Sequence, residues 1–540
     1  VRPFLTLHHP LQTRRYYEQG LWQEDTFYGL VAKHAAARPE TVALQDGRRR
    51  LTWSELQAWV DGVAADLCAY GLVGGDRVSI WMSNRLETIV TFLACSREGF
   101  ACNPSLHRTY TCGEIGGLLD RLSARALVTE QGWGADRMKV DFDGILAQLP
   151  SLKVVYSPDS FPMQAPNMTP ACDDPDKVIY LAFTSGTTGA PKCVMHSDNT
   201  LLANARDLVR DWGHGPDTVL LTLSPLSHHI AWVAVAQWLL AGCRLVTDDP
   251  PPGTNRLDWI LETGATYIMG VPTHAMDVLA EQKARGLSKL GAVWVFYMAG
   301  APIPPSVADA FMRRGIKPQN VYGMTENSSH QYTHPTDDTE TIVATCGRGG
   351  RSYEVRLFDL ADPDRQATPG EIGQIGGRGA ALMLGYFDNQ IATEASFNRD
   401  GWFLSGDLGI LDERGNLRIE GRLKDLIIRG GHNISPVHIE ALALRCHAIE
   451  RAACFPVPDE RLGERVGIAV IGDVSPTDLL AHLADEGLSK YDMPEYFVRL
   501  EAFPLTASGK ILKREIVEMV RRGELTPAPI GFRARQEMGG

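Results

Sequence analysis

The sequence predicts an α/β fold with largely parallel sheets, followed by a hairpin-rich section and a small α+β domain. Three observations predict it. First, short β-rich runs alternate with amphipathic stretches over the first two thirds of the chain. Val78, Ile80 and Met82 alternate as in a strand, and similar runs recur at Val154 to Tyr156, Val178 to Phe183, Val219 to Leu223, Tyr267 to Met269 and Val293 to Met298. Between them lie segments such as Thr200 to Arg210, where Leu201, Leu202, Ala205, Leu208 and Val209 share one helical face. This alternation is the pattern of stacked βα units. Second, from about Ser352 the pattern turns to hairpins, with Gly415-Asn416 at one predicted turn. Third, a helix is expected near Pro436, then strand, strand, helix, strand, the loop PLTASGK and a charged helix.

At 540 residues the chain suggests roughly three or four compact units. A boundary near Arg422 to Asp425 divides it into 1–423 and 424–540, the second part being of ordinary domain size. Pro158, Pro162, Pro166 and Pro170 read as an extended connector.

Composition narrows the function. A formal net charge of −12 argues against a general nucleic-acid binder. The ten cysteines form no CxxC pair and no His/Cys cluster at zinc spacing, which suits reduced thiols in a cytoplasmic protein. The longest apolar run, Ile230 to Cys243, contains Gln237 and is too short to span a bilayer. No apolar signal region is visible in VRPFLTLHHPLQTRR.

The stretch FTSGTTGAPK, residues 183–192, holds hydroxyls, two glycines, a proline and one lysine between two β-like runs. Such a composition suits a backbone cradle for phosphate oxygens. It is not the Gly-x-x-x-x-Gly-Lys-Ser/Thr loop that leads into a helix. The first helix cap follows only at Ser197 to Asn199, so the loop joins two strands and gains nothing from a helix dipole. This argues against a kinase or NTPase loop. A clamp on a polyphosphate remains, as does a plain Gly/Ser-rich surface turn.

Five segments in order narrow the choice: TSGTTGAPK, YGMTE (322–326), SGD (405–407), GRLKDLIIRGG (421–431) and PLTASGK (504–510). With them the chain resembles, from roughly Trp22 to Glu515, the adenylate-forming superfamily of acyl-CoA synthetases, aryl-acid ligases, luciferases and peptide-synthetase adenylation domains. The resemblance implies a large N-terminal domain of αβ-layered subdomains with a small β-barrel-like subdomain, then a small mobile C-terminal domain. It also implies ATP, Mg²⁺ and coenzyme A. A carboxylate would attack the α-phosphate of ATP, releasing pyrophosphate, and a thiol would then displace AMP. Because an anion must approach a polyanion, positive charge and oriented donors are needed.

By the same resemblance, Thr184, Ser185, Thr187 and Thr188 would offer hydroxyls to the phosphates. Gly186 and Gly189 would allow close backbone approach, and Lys192 would add charge. Glu326 would ligate Mg²⁺ and Thr325 would contact the α-phosphate. Tyr322, Gly323 and Met324 would lie along the nucleotide, with Gly300, Ala301 and Pro302 on the other side of the base. Asp407 would accept the ribose hydroxyls, and Arg422 would add a donor. Lys510 would bridge carboxylate and α-phosphate as a compact charge on a long stem. Rotation about Lys424 would then withdraw it and bring in a coenzyme A channel at Gly430 and Gly431.

His228 matches the family's histidine at the acyl-pocket entrance. The pocket would be lined by His229, Ala231, Trp232, Tyr297 and Met298, and beyond them by Gly300, Gly323, Ser328, Ser329 and His330. Trp232 and Tyr297 suggest a mostly apolar cavity. The phrase RRYYEQGLWQEDTFYGLV is similar to two branches, 2,3-dihydroxybenzoate–AMP ligases and cyclohexanecarboxylate or medium-chain CoA ligases. In the first branch an asparagine follows the entrance histidine; here that position is His229, which favours an alicyclic or medium-chain acid passed to coenzyme A. An aryl acid passed to a carrier protein's pantetheine is the alternative, and a non-catalytic nucleotide-binding relative a more remote one. The resemblance involves no nucleic acid and is compatible with a homodimer.

Overall fold

A computed structural model describes residues 10–165, 169–184, 191–505 and 511–531. By internal contacts the chain forms two compact units, 1–354 with 377–397, and 355–376 with 398–540. The second unit thus groups the hairpin section with the C-terminal segment, which the sequence reading divided at 423/424. Grouping by contact and division by a rotation about Lys424 need not coincide.

The first unit is layered. Among the described residues, one sheet has eight strands in the order Ser328–Tyr332, Lys317–Met324, Val295–Ala299, Tyr267–Gly270, Val219–Thr222, Arg244–Thr247, Val42–Gln45 and Arg50–Thr52. Its six inner strands are parallel and its two edge pairs antiparallel. A seven-stranded sheet runs Gly385–Tyr386, Lys192–Ser197, Val178–Thr184, Ala101–Asn103, Arg77–Trp81, Ala126–Thr129 and Val154–Tyr156. It too is parallel except at the Gly385–Tyr386 end.

The cores show how these layers stack. One apolar cluster joins strand residues of both sheets (Val78, Ile179, Leu220, Tyr297) with helices Phe27–Ala37, Trp53–Ala69, Leu86–Glu98, Asp198–Trp212 and His229–Ala241. The eight-stranded sheet covers its other face with helices Arg256–Thr263, Pro272–Ala284 and Pro305–Met312, and the seven-stranded sheet covers its own with Cys112–Leu122 and Phe142–Leu146. Strand alternation drives this: Val295, Tyr297 and Ala299 enter the central cluster, while Phe296 and Met298 enter the outer one.

Local chemistry sets the element ends. Ser197 caps helix Asp198–Trp212, its side chain accepting the Thr200 N–H in a reciprocal capping box. Helix His229–Ala241 is buried nearly all round, as a layer between two sheets must be. Among the described residues no helix is long and apolar enough to cross a membrane. The proline connector is not uniformly extended: Pro158–Ser160 forms a 3₁₀ turn, which the fixed proline φ favours at a first helical position. All ten cysteines are free.

The second unit holds most of a four-stranded sheet, including the antiparallel pair Phe403–Leu411 and Leu417–Arg422, closed by a turn through Gly415. Its other sheet pairs Ile449–Asp459 with Gly463–Gly472 and adds Tyr496–Arg499, Ala528–Pro529, Ile427–Arg429 and His432–Ile434. Helices Pro436–Ala443, Pro476–Asp485 and Lys513–Arg521 pack on it. Lys513 joins the last helix to the half-buried Glu440 at 2.6 Å.

Candidate active site

Strands Val178–Thr184 and Lys192–Ser197 pair antiparallel, with Phe183 opposite Cys193 and Thr184 opposite Lys192. The two strands that flank the glycine-rich stretch therefore pair antiparallel, as its sequence surroundings predict. Ser185, Gly186, Thr187, Thr188 and Gly189 lie outside the described residues, as does Lys510. At the hairpin's base, the Thr184 hydroxyl donates to the Lys192 carbonyl at 3.4 Å, and the Phe183 N–H donates to Ser105 Oγ at 2.7 Å. The Lys192 ammonium sits 4.5 Å from the centre of the Tyr386 ring, an attractive cation–π placement. Tyr386 arrives there because Gly385–Tyr386 pairs with Val194 and Met195 of the same hairpin.

A second hairpin, Lys317–Met324 with Ser328–Tyr332, carries Thr325, Glu326 and Asn327 at its tip. The turn is tight. Ser328 adopts φ 56°, rare for a residue with a Cβ, and a Cβ on Gly323 would lie 1.7 Å from the Ser328 carbonyl oxygen. The Asn327 amide accepts the Met324 N–H at 3.1 Å and donates to Tyr353 Oη at 3.1 Å. The Tyr386 hydroxyl donates to Glu326 Oε1 at 2.9 Å, and the Glu326 carbonyl accepts the Met383 N–H at 2.7 Å. His196 Nε2 lies 2.6 Å from the Thr325 carbonyl. A carbonyl cannot donate, so Nε2 carries the proton and Nδ1 accepts toward Thr200 Oγ1 at 3.0 Å. Tyr386 and His196 are site residues that the sequence reading did not find.

The residues proposed for the acyl group separate into three sets. His229 opens helix His229–Ala241, with Nδ1 3.3 Å from Tyr180 Oη and Nε2 3.0 Å from Ser328 Oγ. Tyr297 Oη lies 2.6 Å from Ser329 Oγ, and the Ser329 backbone is held at both ends by the Asn204 amide at 3.0 Å. His330 is buried against Tyr353 and Tyr322, and neither ring nitrogen has a hydrogen-bond partner among the described residues. These residues come together. Ala231 and Trp232 lie in the central core beside them, the indole donating to the Leu226 carbonyl at 2.8 Å and its ring 4.3 Å from Phe92. Met298 is a correction. As Tyr297's neighbour in one strand it points to the opposite sheet face, into the core of the outer helices, and does not share a lining with Tyr297.

The gathered set is more polar than Trp232 and Tyr297 alone suggested. Burial pushes His330 down to about 3 and His229 well below the usual imidazole value, helped in the second case by His196. Burial likewise pushes the Tyr297 phenol up. At neutral pH these groups are uncharged donors and acceptors. His228, the helix cap, stacks on His107 with centroids 4.3 Å apart; His107 Nδ1 is 3.0 Å from Ser227 Oγ, and burial lowers His107 to about 4. Gly300, Ala301 and Pro302 directly follow strand Val295–Ala299.

In the second unit, Asp407 and Arg422 stand opposite each other across the Phe403–Leu411 and Leu417–Arg422 ladder. Arg422 Nε donates to Asp407 Oδ1 at 3.2 Å, and the Asp407 N–H donates to Ser405 Oγ at 3.0 Å. The SGD and GR segments thus form one cross-strand pair. Lys424 lies in the short 3₁₀ turn Leu423–Asp425. Gly430 and Gly431 form the turn between Ile427–Arg429 and His432–Ile434 at φ 59° and 86°, conformations that favour glycine. A Cβ on Gly431 would meet nothing within 4 Å, so space beside it is open.

Comparison with known proteins places this arrangement. The family model of AMP-binding enzymes matches residues 31–387, and that of the AMP-binding enzyme C-terminal domain matches 438–510. The chain is similar to the medium-chain fatty-acid–CoA ligase of Escherichia coli (strain K12), 29% identical over 521 residues, covering 92% of this chain and 91% of that one. It is 32% identical over 509 residues to a methyl-dioxo-octahydroindenylpropanoyl:CoA ligase of Mycobacterium tuberculosis, covering 89% and 96%. The fold is similar to the crystal structure of ATP-bound MatB from Rhodopseudomonas palustris, with TM-score 0.81, 26% identity and coverage of 92% and 99%.

Proposed function

This chain belongs to the AMP-binding enzyme family and is an acid–thiol ligase, and from that premise we propose that it converts an alicyclic or medium-chain hydrophobic carboxylic acid to its acyl-AMP and then to the acyl-CoA. The observation that carries the reading is the cluster in the first unit. There the lysine of the glycine-rich hairpin and the glutamate of YGMTE meet one tyrosine, Lys192 at its ring and Glu326 at its hydroxyl. A cation and a carboxylate gathered at one tyrosine, with the cation next in sequence to a glycine- and hydroxyl-rich segment, suit a triphosphate.

In this reading Lys192 and the hydroxyls and amides of 184–189 hold the β- and γ-phosphates and then the leaving pyrophosphate. Thr325 donates toward the α-phosphate. Glu326 would hold Mg²⁺, for which a carboxylate is a fitting hard donor, and the ion would offset phosphate charge. Tyr322 and the 300–302 segment flank the base, and Asp407 and Arg422 meet the ribose. Lys510 bridges the entering carboxylate and the α-phosphate. Rotation about Lys424 then exchanges Lys510 for the Gly430–Gly431 turn, past which a thiol can reach the acyl carbonyl and release AMP. The open space at Gly431 supports that passage.

The acid is favoured as alicyclic or medium-chain by His229 in place of asparagine and by the substrates in the names of the two relatives. A panel from benzoate and cyclohexanecarboxylate to octanoate, assayed for coenzyme A-dependent AMP formation, tests it. The reading expects the alicyclic or medium-chain acids to give the highest kcat/KM. Preference for benzoate overturns the acyl assignment, and ADP in place of AMP overturns the reaction.

A further inference from the structure

We propose that Tyr386 is a positioning residue that couples the metal carboxylate to the phosphate clamp; the proposal rests on the roles given above to Glu326 and Lys192. Tyr386 is 4% exposed and its side chain is used at both ends. The ring faces the Lys192 ammonium at 4.5 Å, and the hydroxyl donates to Glu326 Oε1 at 2.9 Å. Its backbone is fixed as well. The Tyr386 N–H donates to Thr393 Oγ1 at 2.9 Å, and the residue pairs with Val194, two positions after Lys192 in the adjoining strand.

The two contacts share a property. An aromatic face attracts an ammonium without cancelling its charge. A phenol O–H likewise orients a carboxylate without neutralising it, because an ionised carboxylate only accepts. Tyr386 therefore sets the directions of a cation and an anion without neutralising either. An arginine or aspartate in its place would hold one of them equally well but consume its charge. The same ring links segments distant in sequence, so Glu326 and Lys192 respond to ATP and Mg²⁺ as one unit.

Calorimetric titration of the full-length protein with ATP, without any carboxylic acid, separates this role from folding and from turnover. ATP is titrated in excess Mg²⁺ and in excess EDTA into wild type, Tyr386→Phe, Tyr386→Leu and Glu326→Gln. For Tyr386→Phe, which keeps the ring, we expect affinity in EDTA within about twofold of wild type and an affinity in Mg²⁺ lowered about tenfold. For Tyr386→Leu, which loses the ring too, affinity in EDTA should also fall, by about threefold. The thermal midpoint of Tyr386→Phe should match wild type. Equal weakening of Tyr386→Phe with and without Mg²⁺ would make the residue merely structural and overturn the proposal. If Glu326→Gln loses the Mg²⁺ enhancement but Tyr386→Phe keeps it, the proposal fails and the reading of Glu326 stands. If Glu326→Gln keeps the enhancement, the reading of Glu326 fails and the proposal with it.

Discussion

Glu326, in the first unit, is 6% exposed and is oriented by the neutral hydroxyl of Tyr386 at 2.9 Å, whereas Asp407, in the second, faces the guanidinium of Arg422 at 3.2 Å, and that arginine's side chain is 47% exposed. Both carboxylates are assigned to ATP, yet their partners suit different tasks. A carboxylate held by a neutral donor keeps its charge for a cation. One that faces an arginine is already compensated, and its remaining lone pairs suit neutral hydroxyls such as those of ribose. The same contrast runs through the surroundings. To Lys192 and Glu326 the first unit adds the uncharged, half-buried His229 and the buried His330 and Tyr297, whereas in the second unit a buried aspartate meets a half-exposed arginine.

Substitutions can break that comparison. Removing charge without changing shape should be most damaging where the charge is used. Glu326→Gln is expected to lower the kcat of acid-dependent pyrophosphate exchange by about 100-fold or more, the scale for losing one electrostatic group in a site. Asp407→Asn keeps the shape and one acceptor oxygen; it should act mainly on the KM for ATP, by about tenfold, with kcat less affected. If the two variants gave the same pattern of kcat and KM, the distinction between the carboxylates would collapse.

A smaller effect sharpens the buried side of the comparison. Burial holds His330 near 3 against an ordinary 6.5. As the pH falls below about 6.5 the unfolded chain takes up a proton at this residue, while the folded chain does not until about 3. The stability His330 contributes is therefore full above 6.5 and is lost progressively as the pH falls toward 3. His330→Phe removes that dependence. The difference between urea-unfolding free energies at pH 7 and 4.5 should narrow by about 2 to 3 kcal/mol in the variant. An unchanged difference would mean that His330 is not held neutral by its site.

Much of the fold could be read from the chain. Alternation marked strands Val154–Tyr156, Val178–Thr184 and Tyr267–Gly270, Ser197 announced the helix after the hairpin, and Gly415-Asn416 marked a turn. Tyr386 was not legible, because its place depends on a two-residue strand joining an edge formed by residues far away in sequence. Nor was the site-facing side of helix His229–Ala241, since a helix apolar all round has no periodic stripe to show it. Met298 is a different case. Strand alternation itself puts it opposite Tyr297, and only the family resemblance placed the two in one lining. Asp407 and Arg422 were each legible as family positions, but their pairing follows from ladder register, which a sequence does not display.

The central claim is a two-step ligase whose steps use different residues, and the half-reactions of Lys510→Ala test it most directly. Wild type should exchange labelled pyrophosphate into ATP when the acid is present, and should convert supplied acyl-AMP and coenzyme A to thioester. Lys510→Ala should lose the exchange by about 100-fold or more while keeping thioester formation nearly intact. Equal loss of both half-reactions would contradict the account.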